Sequence, residues 1–209
     1  MKALGPGRCG IARGHGVLNG MAEIVLIRHG QTEWSAAGKH TSYTDVELTP
    51  TGAEQAKALG ERLRGRAFAA VIASPRERAV RTAELAGLRV TETDEDLVEW
   101  NYGRYEGITT AEIRKADPDW SLWTVGAPGG ESPGQVGARV DRVLAKARRH
   151  LRRGDVALVG HGHCLRVVGA RWIGLAAGAG GLLRLDTGTL SALGYEHGRE
   201  VILEWNADR

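Results

Sequence analysis

Short apolar runs that suit single β-strands alternate along this chain with segments of helical periodicity. The predicted strands are residues 23–27, 69–73, 88–91 and 155–160, and the predicted helices begin at Thr49, Ser74, Pro133 and Leu165. Strands that alternate with helices form a mostly parallel sheet covered on both faces. A final pair of runs, 190–196 and 200–205, flanks His197-Gly198-Arg199 and predicts a hairpin. The pattern therefore predicts an α/β fold.

Length and charge favour one neutral domain behind a basic extension. With 209 residues and 42% hydrophobic residues, the chain can bury one substantial core. Three of the 28 basic residues, Lys2, Arg8 and Arg13, precede Glu23, the first acidic residue, so the rest carries 25 residues of each sign. We expect residues 1–20 to be a disordered extension and residues 21–209 to be the domain.

The composition also argues against several partners and compartments. Nucleic-acid binding needs a clustered basic face, and the run 148–153 is better explained as a helix end. No apolar run approaches a membrane span, and residues 1–20 lack the apolar stretch of a secretory signal. Cys9 and Cys164 cannot form a disulfide framework, although a single bridge stays open. We therefore predict a cytoplasmic protein that binds neither nucleic acid nor membrane.

Chemically active side chains follow the predicted strands. Arg28-His29-Gly30 ends the first strand, Arg78 follows the second, Glu99 lies beyond the third, and His161-Gly162-His163 ends the fourth. In an open α/β sheet these strand ends share one edge, where ligands bind. Together they supply two arginines for phosphoryl oxygens, two imidazoles and one carboxylic acid. These residues predict a site for a phosphorylated ligand.

With those residues in place, the chain resembles the histidine phosphatase superfamily, in its phosphoglycerate mutase-like branch. The resemblance runs from Glu23 onward and rests on these segments: Arg28-His29-Gly30-Gln31-Thr32-Glu33-Trp34, Asp45 with Leu48-Thr49 and Gly52, Ser74-Pro75 with Arg78-Ala79 and Thr82-Ala83, Glu99 with Tyr102-Gly103 and Glu106-Gly107, Gly130-Glu131-Ser132, and His161-Gly162-His163. It implies a three-layer α/β/α sandwich with a mostly parallel central sheet and one phosphate pocket, and it implies that no metal or other cofactor is required.

The resemblance also implies a catalytic role for five residues. His29 would attack phosphorus and become a phosphohistidine. Arg28, Arg78 and His161 would neutralise the phosphoryl oxygens. Glu99 would protonate the leaving oxygen and then take a proton from the attacking water. Because Glu99 must be protonated in the first step, an acidic optimum is expected.

Substrate contacts are expected from a further set of residues. They are Gln31, Thr32, Thr41, Ser42, Tyr102 and Gly162. Capping and turn stabilisation remain alternatives for the first four. His163 lies either at the pocket edge or in a structural hydrogen bond, and His161-x-His163 has no third ligand at a spacing diagnostic of zinc. The tryptophans near 120 either cover the pocket or pack in the core, and Cys164 is expected to be a small buried side chain.

Family patterns favour a phosphatase over a mutase. Phosphatases of the family typically carry a glutamate where this chain has Glu106, and mutases a glutamine, and the segment from Gly107 to Glu131 lacks a long basic insertion. The motifs most resemble sedoheptulose bisphosphatase-like enzymes and broad-specificity acid phosphatases, which implies a small phosphoester substrate, including sugar phosphates or bisphosphates. Arg104, Arg166 or Lys39 would meet a second phosphate or remain solvated. A phosphoglycerate mutase, a non-catalytic phospho-ligand binding module and a homodimer through the terminal hairpin stay open.

Overall fold

A six-stranded sheet forms the centre of the protein. The computed structural model describes residues 22–208. The strands are β1 (Ile24–Arg28), β2 (Phe68–Ala73), β3 (Glu92–Thr93), β4 (Asp155–Gly160), β5 (Leu190–Glu196) and β6 (Arg199–Ala207). Their order across the sheet is β3-β2-β4-β1-β5-β6. The first four strands run parallel, β5 runs antiparallel to β1, and β6 pairs antiparallel with β5.

Helices cover both faces of this sheet. They are α1 (Glu33–Ala36), α2 (Pro50–Arg62), α3 (Glu77–Leu85), α4 (Thr110–Ala116), α5 (Leu122–Val125), α6 (Pro133–Leu151) and α7 (Gly162–Trp172). Alternate strand residues point to opposite faces. Val25 and Ile27 pack in one core cluster with side chains of α2 and α3, whereas Ile24 and Leu26 pack in the other with side chains of α6 and α7. The predicted α/β/α sandwich with a mostly parallel sheet is confirmed.

Most predicted elements are found, several of them with shifted ends. Thr49 caps α2 through a hydrogen bond to the Gly52 N–H, with Pro50 in the first turn, as expected. The strand predicted at 88–91 is wrong: the strand is β3, and the Thr91 side chain instead accepts the N–H of Val71. Helix α3 begins three residues later than predicted, because the Ser74 N–H still bonds to the Val159 carbonyl of β4.

Helix α7 also differs from the prediction, since it begins at Gly162 rather than Leu165. The hairpin between β5 and β6 turns at His197 and Gly198, both with positive φ, as a two-residue turn requires.

The segment between β3 and α6 folds over the carboxyl edge of the sheet. Its helix α4 carries a capping box, in which Thr109 and Glu112 bond each other's backbone N–H. Trp120 is buried, which supports core packing, whereas Trp123 is partly buried and packs against Arg166 and His163. Neither α4 nor α5 was predicted from the sequence.

Two predictions concern residues outside the described part of the chain. The extension of residues 1–20 and Cys9 both lie there. Among residues 22–208, no helix combines the length and apolar character that a bilayer crossing demands.

Candidate active site

The carboxyl ends of β1, β2 and β4 bring the predicted site residues together. Arg28 ends β1 directly opposite Gly160 of β4, so His29 and His161 follow side by side, with ring centroids 5.1 Å apart. A cavity of about 190 Å³ opens at this edge. It is lined by Arg28, His29, Thr32, Ser35, Gly38, Lys39, His40, Thr41, Glu99, Tyr102, Thr110, Gly162, His163, Arg166 and Leu185.

His29 is held in the tautomer that a nucleophile needs. Its Nδ1 lies 2.7 Å from the Gly30 carbonyl oxygen, which can only accept, so Nδ1 donates. The lone pair is therefore on Nε2. Burial and the charges of Arg78 and Arg28 lower the pKa of His29 well below its ordinary value, so the ring is neutral at pH 7.

Arg28 lies against the helix that follows β4. Its Nη1 donates to the Leu185 carbonyl, while its buried Nε has no hydrogen-bond partner among residues 22–208. A Cβ placed on Gly162 would lie 3.1 Å from the guanidinium carbon of Arg28, so Gly162 leaves the room that this side chain occupies. Arg28 thus brings a positive charge to the cavity wall.

Arg78 and His161 are joined in a buried network behind His29. The Arg78 Nε donates to His161 Nδ1 at 3.2 Å, so His161 Nε2 bears a proton and donates to Ser74 Oγ at 2.7 Å. Burial, with Arg78 second, lowers the pKa of His161 well below its ordinary value. Neither Arg78 nor His161 lines the cavity in this arrangement.

The remaining nitrogens of Arg78 hold the loop that follows α1. Nη1 donates to the Thr44 carbonyl, and Nη2 donates to the carbonyls of Thr41 and Ser42. The Glu106 carboxylate accepts the N–H groups of Ser42 and Thr44 from the other side. Glu106 therefore shapes the loop rather than the cavity wall.

Glu99 caps the helix that carries His161 at its start. Its carboxylate accepts the N–H groups of His163 and Cys164 in the first turn of α7, and also that of Trp100, at 2.8–3.0 Å. Helix N-termini favour negative charge, so this geometry explains how a buried carboxyl group is held at the cavity.

Four of the six predicted substrate contacts line the cavity. They are Thr32, Thr41, Tyr102 and Gly162. Gln31 and Ser42 do not: the Gln31 side chain accepts a hydrogen bond from Thr49, and the Ser42 side chain is buried against the Glu99 carbonyl. Both side chains instead bond to residues that are distant in sequence, 18 positions away for Gln31 and 57 for Ser42.

His163 lies at the edge of the cavity and also makes a structural hydrogen bond. It lines the cavity and its Nδ1 lies 2.5 Å from the Tyr102 hydroxyl. His40 stacks on His163 and donates through Nδ1 to the Ile108 carbonyl. His40 was not singled out by the sequence analysis, since only its position beside Lys39 and Thr41 signals a role.

Two cations outside the catalytic set also line the cavity. Lys39 lies 5.7 Å from the ring centre of Trp34. Arg166 donates to the carbonyls of Gly180 and Gly181 and stacks on Trp123, and burial lowers its pKa to about 10, so it stays charged at pH 7. Arg104, the third residue considered for a second phosphate, does not line the cavity.

Cys164 is buried, and burial raises the pKa of its thiol to about 11, which makes it a poor nucleophile. Within the described range, no cluster of three or more His, Cys, Asp or Glu side chains is arranged to hold a metal ion.

Comparison with known proteins gives a family match over almost the whole described chain. The family model of the histidine phosphatase superfamily (branch 1) matches residues 24–208. An acid phosphatase of Mycobacterium tuberculosis is 46% identical over 84% of this chain and 87% of its own. Sedoheptulose 1,7-bisphosphatase of Saccharomyces cerevisiae is 38% identical, and the match covers 72% of this chain and 67% of the relative. A probable phosphoglycerate mutase of Salmonella choleraesuis is 30% identical, and the match covers 88% of this chain and 90% of the relative.

Solved structures agree with the sequence match. The product of an open reading frame of Mycobacterium tuberculosis superposes with a TM-score of 0.86 at 43% identity. The match covers 88% of this chain and 97% of that one.

Proposed function

Because the chain belongs to branch 1 of the histidine phosphatase superfamily, we propose that it hydrolyses phosphate monoesters of small metabolites through a phosphohistidine at His29. The observation that carries this proposal is the fixed His29 tautomer, with Nδ1–H on the Gly30 carbonyl and the Nε2 lone pair available at a cavity with cationic walls. A neutral imidazole in this state can attack phosphorus directly.

The proposed reaction has two displacements. In the first, His29 Nε2 bonds to phosphorus, the bond to the ester oxygen breaks, and the leaving oxygen takes a proton from Glu99. In the second, water attacks phosphorus, the P–N bond breaks, and the Glu99 carboxylate takes the proton of the water.

Three side chains stabilise the transferred phosphoryl group in this proposal. Arg28 acts through its charge, since its side chain lines the cavity while its buried Nε lies against Gly162. Arg78 and His161 are linked to each other and packed beside His29. They act through a preorganised hydrogen-bond network and the charge of Arg78, which costs little reorganisation during the reaction.

The outer wall of the cavity is suited to bind polar, phosphorylated leaving groups. Lys39 and Arg166 supply cations there, and His40, Tyr102 and His163 supply hydrogen-bonding rings. Sugar phosphates and bisphosphates carry hydroxyl and phosphate groups that match these donors. The names of the acid phosphatase and sedoheptulose bisphosphatase relatives support the same substrate class.

The test is phosphate release, with a chelator present, from sugar monophosphates, sugar bisphosphates and 3-phosphoglycerate. Wild type is compared with His29→Ala and with His150→Gln, a histidine in the last turn of α6 as matched control. Release that is lost only in His29→Ala supports the proposal, while equal release from all three proteins contradicts it.

A phosphoglycerate mutase is the second candidate, favoured by the relative with that name. Formation of 2-phosphoglycerate without phosphate release would establish it, and phospho-ligand binding without either reaction would indicate a non-catalytic module.

The wider setting is also proposed. The domain extends over residues 21–209, in agreement with the range of the family match, and works in the cytoplasm. It pairs into a homodimer through β6, which lies at the edge of the sheet. A monomeric mass in light scattering would contradict the dimer.

A further inference from the structure

A partly buried ion pair contacts the segment that carries Glu99. Arg139 of α6 is 6% exposed, and its guanidinium forks onto the Glu131 carboxylate, with Nε to Oε1 at 2.8 Å and Nη2 to Oε2 at 3.1 Å. Neither residue lines the cavity. Nothing in the proposed reaction uses their charges.

The pair holds the chain on both sides of Glu99. On one side, Arg139 Nη1 donates to the carbonyls of Asp96 and Val98 at 2.7 and 2.8 Å. On the other side, Glu131 Oε2 accepts the Asn101 N–H at 2.8 Å. Val98 immediately precedes Glu99, and Asn101 follows it by two residues.

The backbone of Glu131 strengthens the second attachment. Its N–H donates to the Asn101 carbonyl, and its carbonyl accepts the indole N–H of Trp100. The residues that flank Glu99 are therefore fixed by the side chains of Arg139 and Glu131 and by two hydrogen bonds to the Glu131 backbone. The carboxylate itself is fixed separately by the first turn of α7.

Stability alone is a weak reason for such a pair. Two charges removed from water cost several kcal/mol, and apolar side chains of similar volume often stabilise a fold as well. Proton transfer in contrast demands that Glu99 lie within hydrogen-bond reach of the leaving oxygen, and small displacements of a catalytic group cost large factors in rate.

We propose that Arg139 and Glu131 are positioning residues for proton transfer by Glu99, a role that rests on the proposed function. Variants of the pair should leave His29 chemistry intact and weaken acid catalysis. The defect should therefore depend on how much the leaving group needs a proton. A purely structural role would slow all substrates alike.

The experiment compares two substrates in each variant. One is p-nitrophenyl phosphate, whose leaving phenolate is stable without a proton, and the other is the best alkyl phosphate from the substrate panel. We expect Arg139→Lys and Glu131→Gln to lower kcat/KM for the alkyl phosphate about tenfold more than for the aryl phosphate. Glu99→Gln should also lower kcat/KM more for the alkyl phosphate than for the aryl phosphate, and by a larger factor than the two pair variants.

Arg142→Gln is the matched control. Arg142 lies on the same helix and binds the Asp96 carboxylate at the surface, where its side chain is 63% exposed. Its ratio of alkyl to aryl kcat/KM should equal that of wild type. Circular dichroism identifies any variant that does not fold, and Glu131→Gln, which keeps the shape of the side chain, decides the case if Arg139→Lys is unfolded.

The outcomes separate this inference from the proposed function. Hydrolysis of both substrates by wild type, with equal losses or no losses in the two variants, overturns the positioning role alone. No hydrolysis by wild type overturns the proposed function and the positioning role with it.

Discussion

A single carbonyl oxygen decides which nitrogen of His29 is reactive. Because the Gly30 carbonyl accepts from Nδ1, the lone pair is on Nε2. Burial and two arginines then keep the ring from taking a second proton, since each disfavours a positive charge. At this scale the protein favours the neutral form of the ring that the proposed nucleophile requires.

The protonation of His29 can be observed directly. Since burial lowers its pKa well below the ordinary value of about 6.5, the ring should take up its proton at a clearly lower pH than an ordinary histidine. NMR titration of the ring carbons, assigned with His29→Asn, measures this. The chain unfolded in urea is the control and should titrate near 6.5. A folded-state midpoint near that value contradicts the prediction.

Gly162 is the second residue whose size matters to the cavity. An added Cβ would lie 3.1 Å from the Arg28 guanidinium carbon and 3.2 Å from its Nε, so Gly162→Ala should displace Arg28. We expect kcat/KM for phosphate esters to fall about tenfold. Gly134→Ala in α6 is the control, because its Cβ would meet no atom within 4 Å. Equal activity in the two variants would show that Arg28 tolerates the methyl group.

At the scale of elements, the sequence predicted the strands and helices that short-range patterns of residue type specify. The apolar runs mark β1, β2 and β4, and Thr49-Pro50 marks the start of α2, so residues at the strand ends could be named in advance as candidates for a site. The shared site followed because parallel strands end at one edge.

What remained hidden depends on contacts between distant segments. The loop carbonyls that Arg78 binds lie 34–37 residues away, and its partner His161 lies 83 residues away. Glu99 caps a helix 64 residues later. The pairing of Glu131 and Arg139 with the Glu99 segment has no local signature either. Helices α4 and α5 were missed because they are short and form against the core rather than by a long periodic pattern.

Helix α2 and the loop after β1 cross at two glycines. A Cβ on Gly52 would lie 2.1 Å from the Gln31 carbonyl oxygen, and one on Gly30 would lie 2.2 Å from that of Gly52. Backbone atoms cannot move aside as the end of a flexible side chain can. Gly52→Ala should therefore reduce the free energy of unfolding by about 3 kcal/mol, and it should also lower the rate of the reaction proposed for His29. Urea denaturation beside Thr51→Ala, an exposed neighbour, measures this; two superimposable curves would contradict the close crossing.

For the whole molecule, burial of the site histidines links stability to pH. Burial lowers the pKa of His29, His40, His161 and His163. Below about pH 6.5 the unfolded chain therefore binds protons that the folded protein does not. The folded state loses stability as pH falls through this range, and the full stability is present above it.

This linkage predicts a steep loss of stability between pH 6.5 and pH 4.5. Each histidine that stays neutral in the folded protein can lower the free energy of unfolding by about 1.4 kcal/mol per pH unit. Urea denaturation at several pH values measures the slope. In His163→Gln the slope should decrease by about one proton, because one buried imidazole is gone. Asp186, whose pKa is lowered chiefly by its hydrogen bond to Asn206, contributes only at more acidic pH. Equal stability of wild type at pH 7 and pH 5 would mean that the site histidines take up protons in the folded protein as readily as in the unfolded chain. The neutral ring proposed for His29 could then not be its resting form in acid.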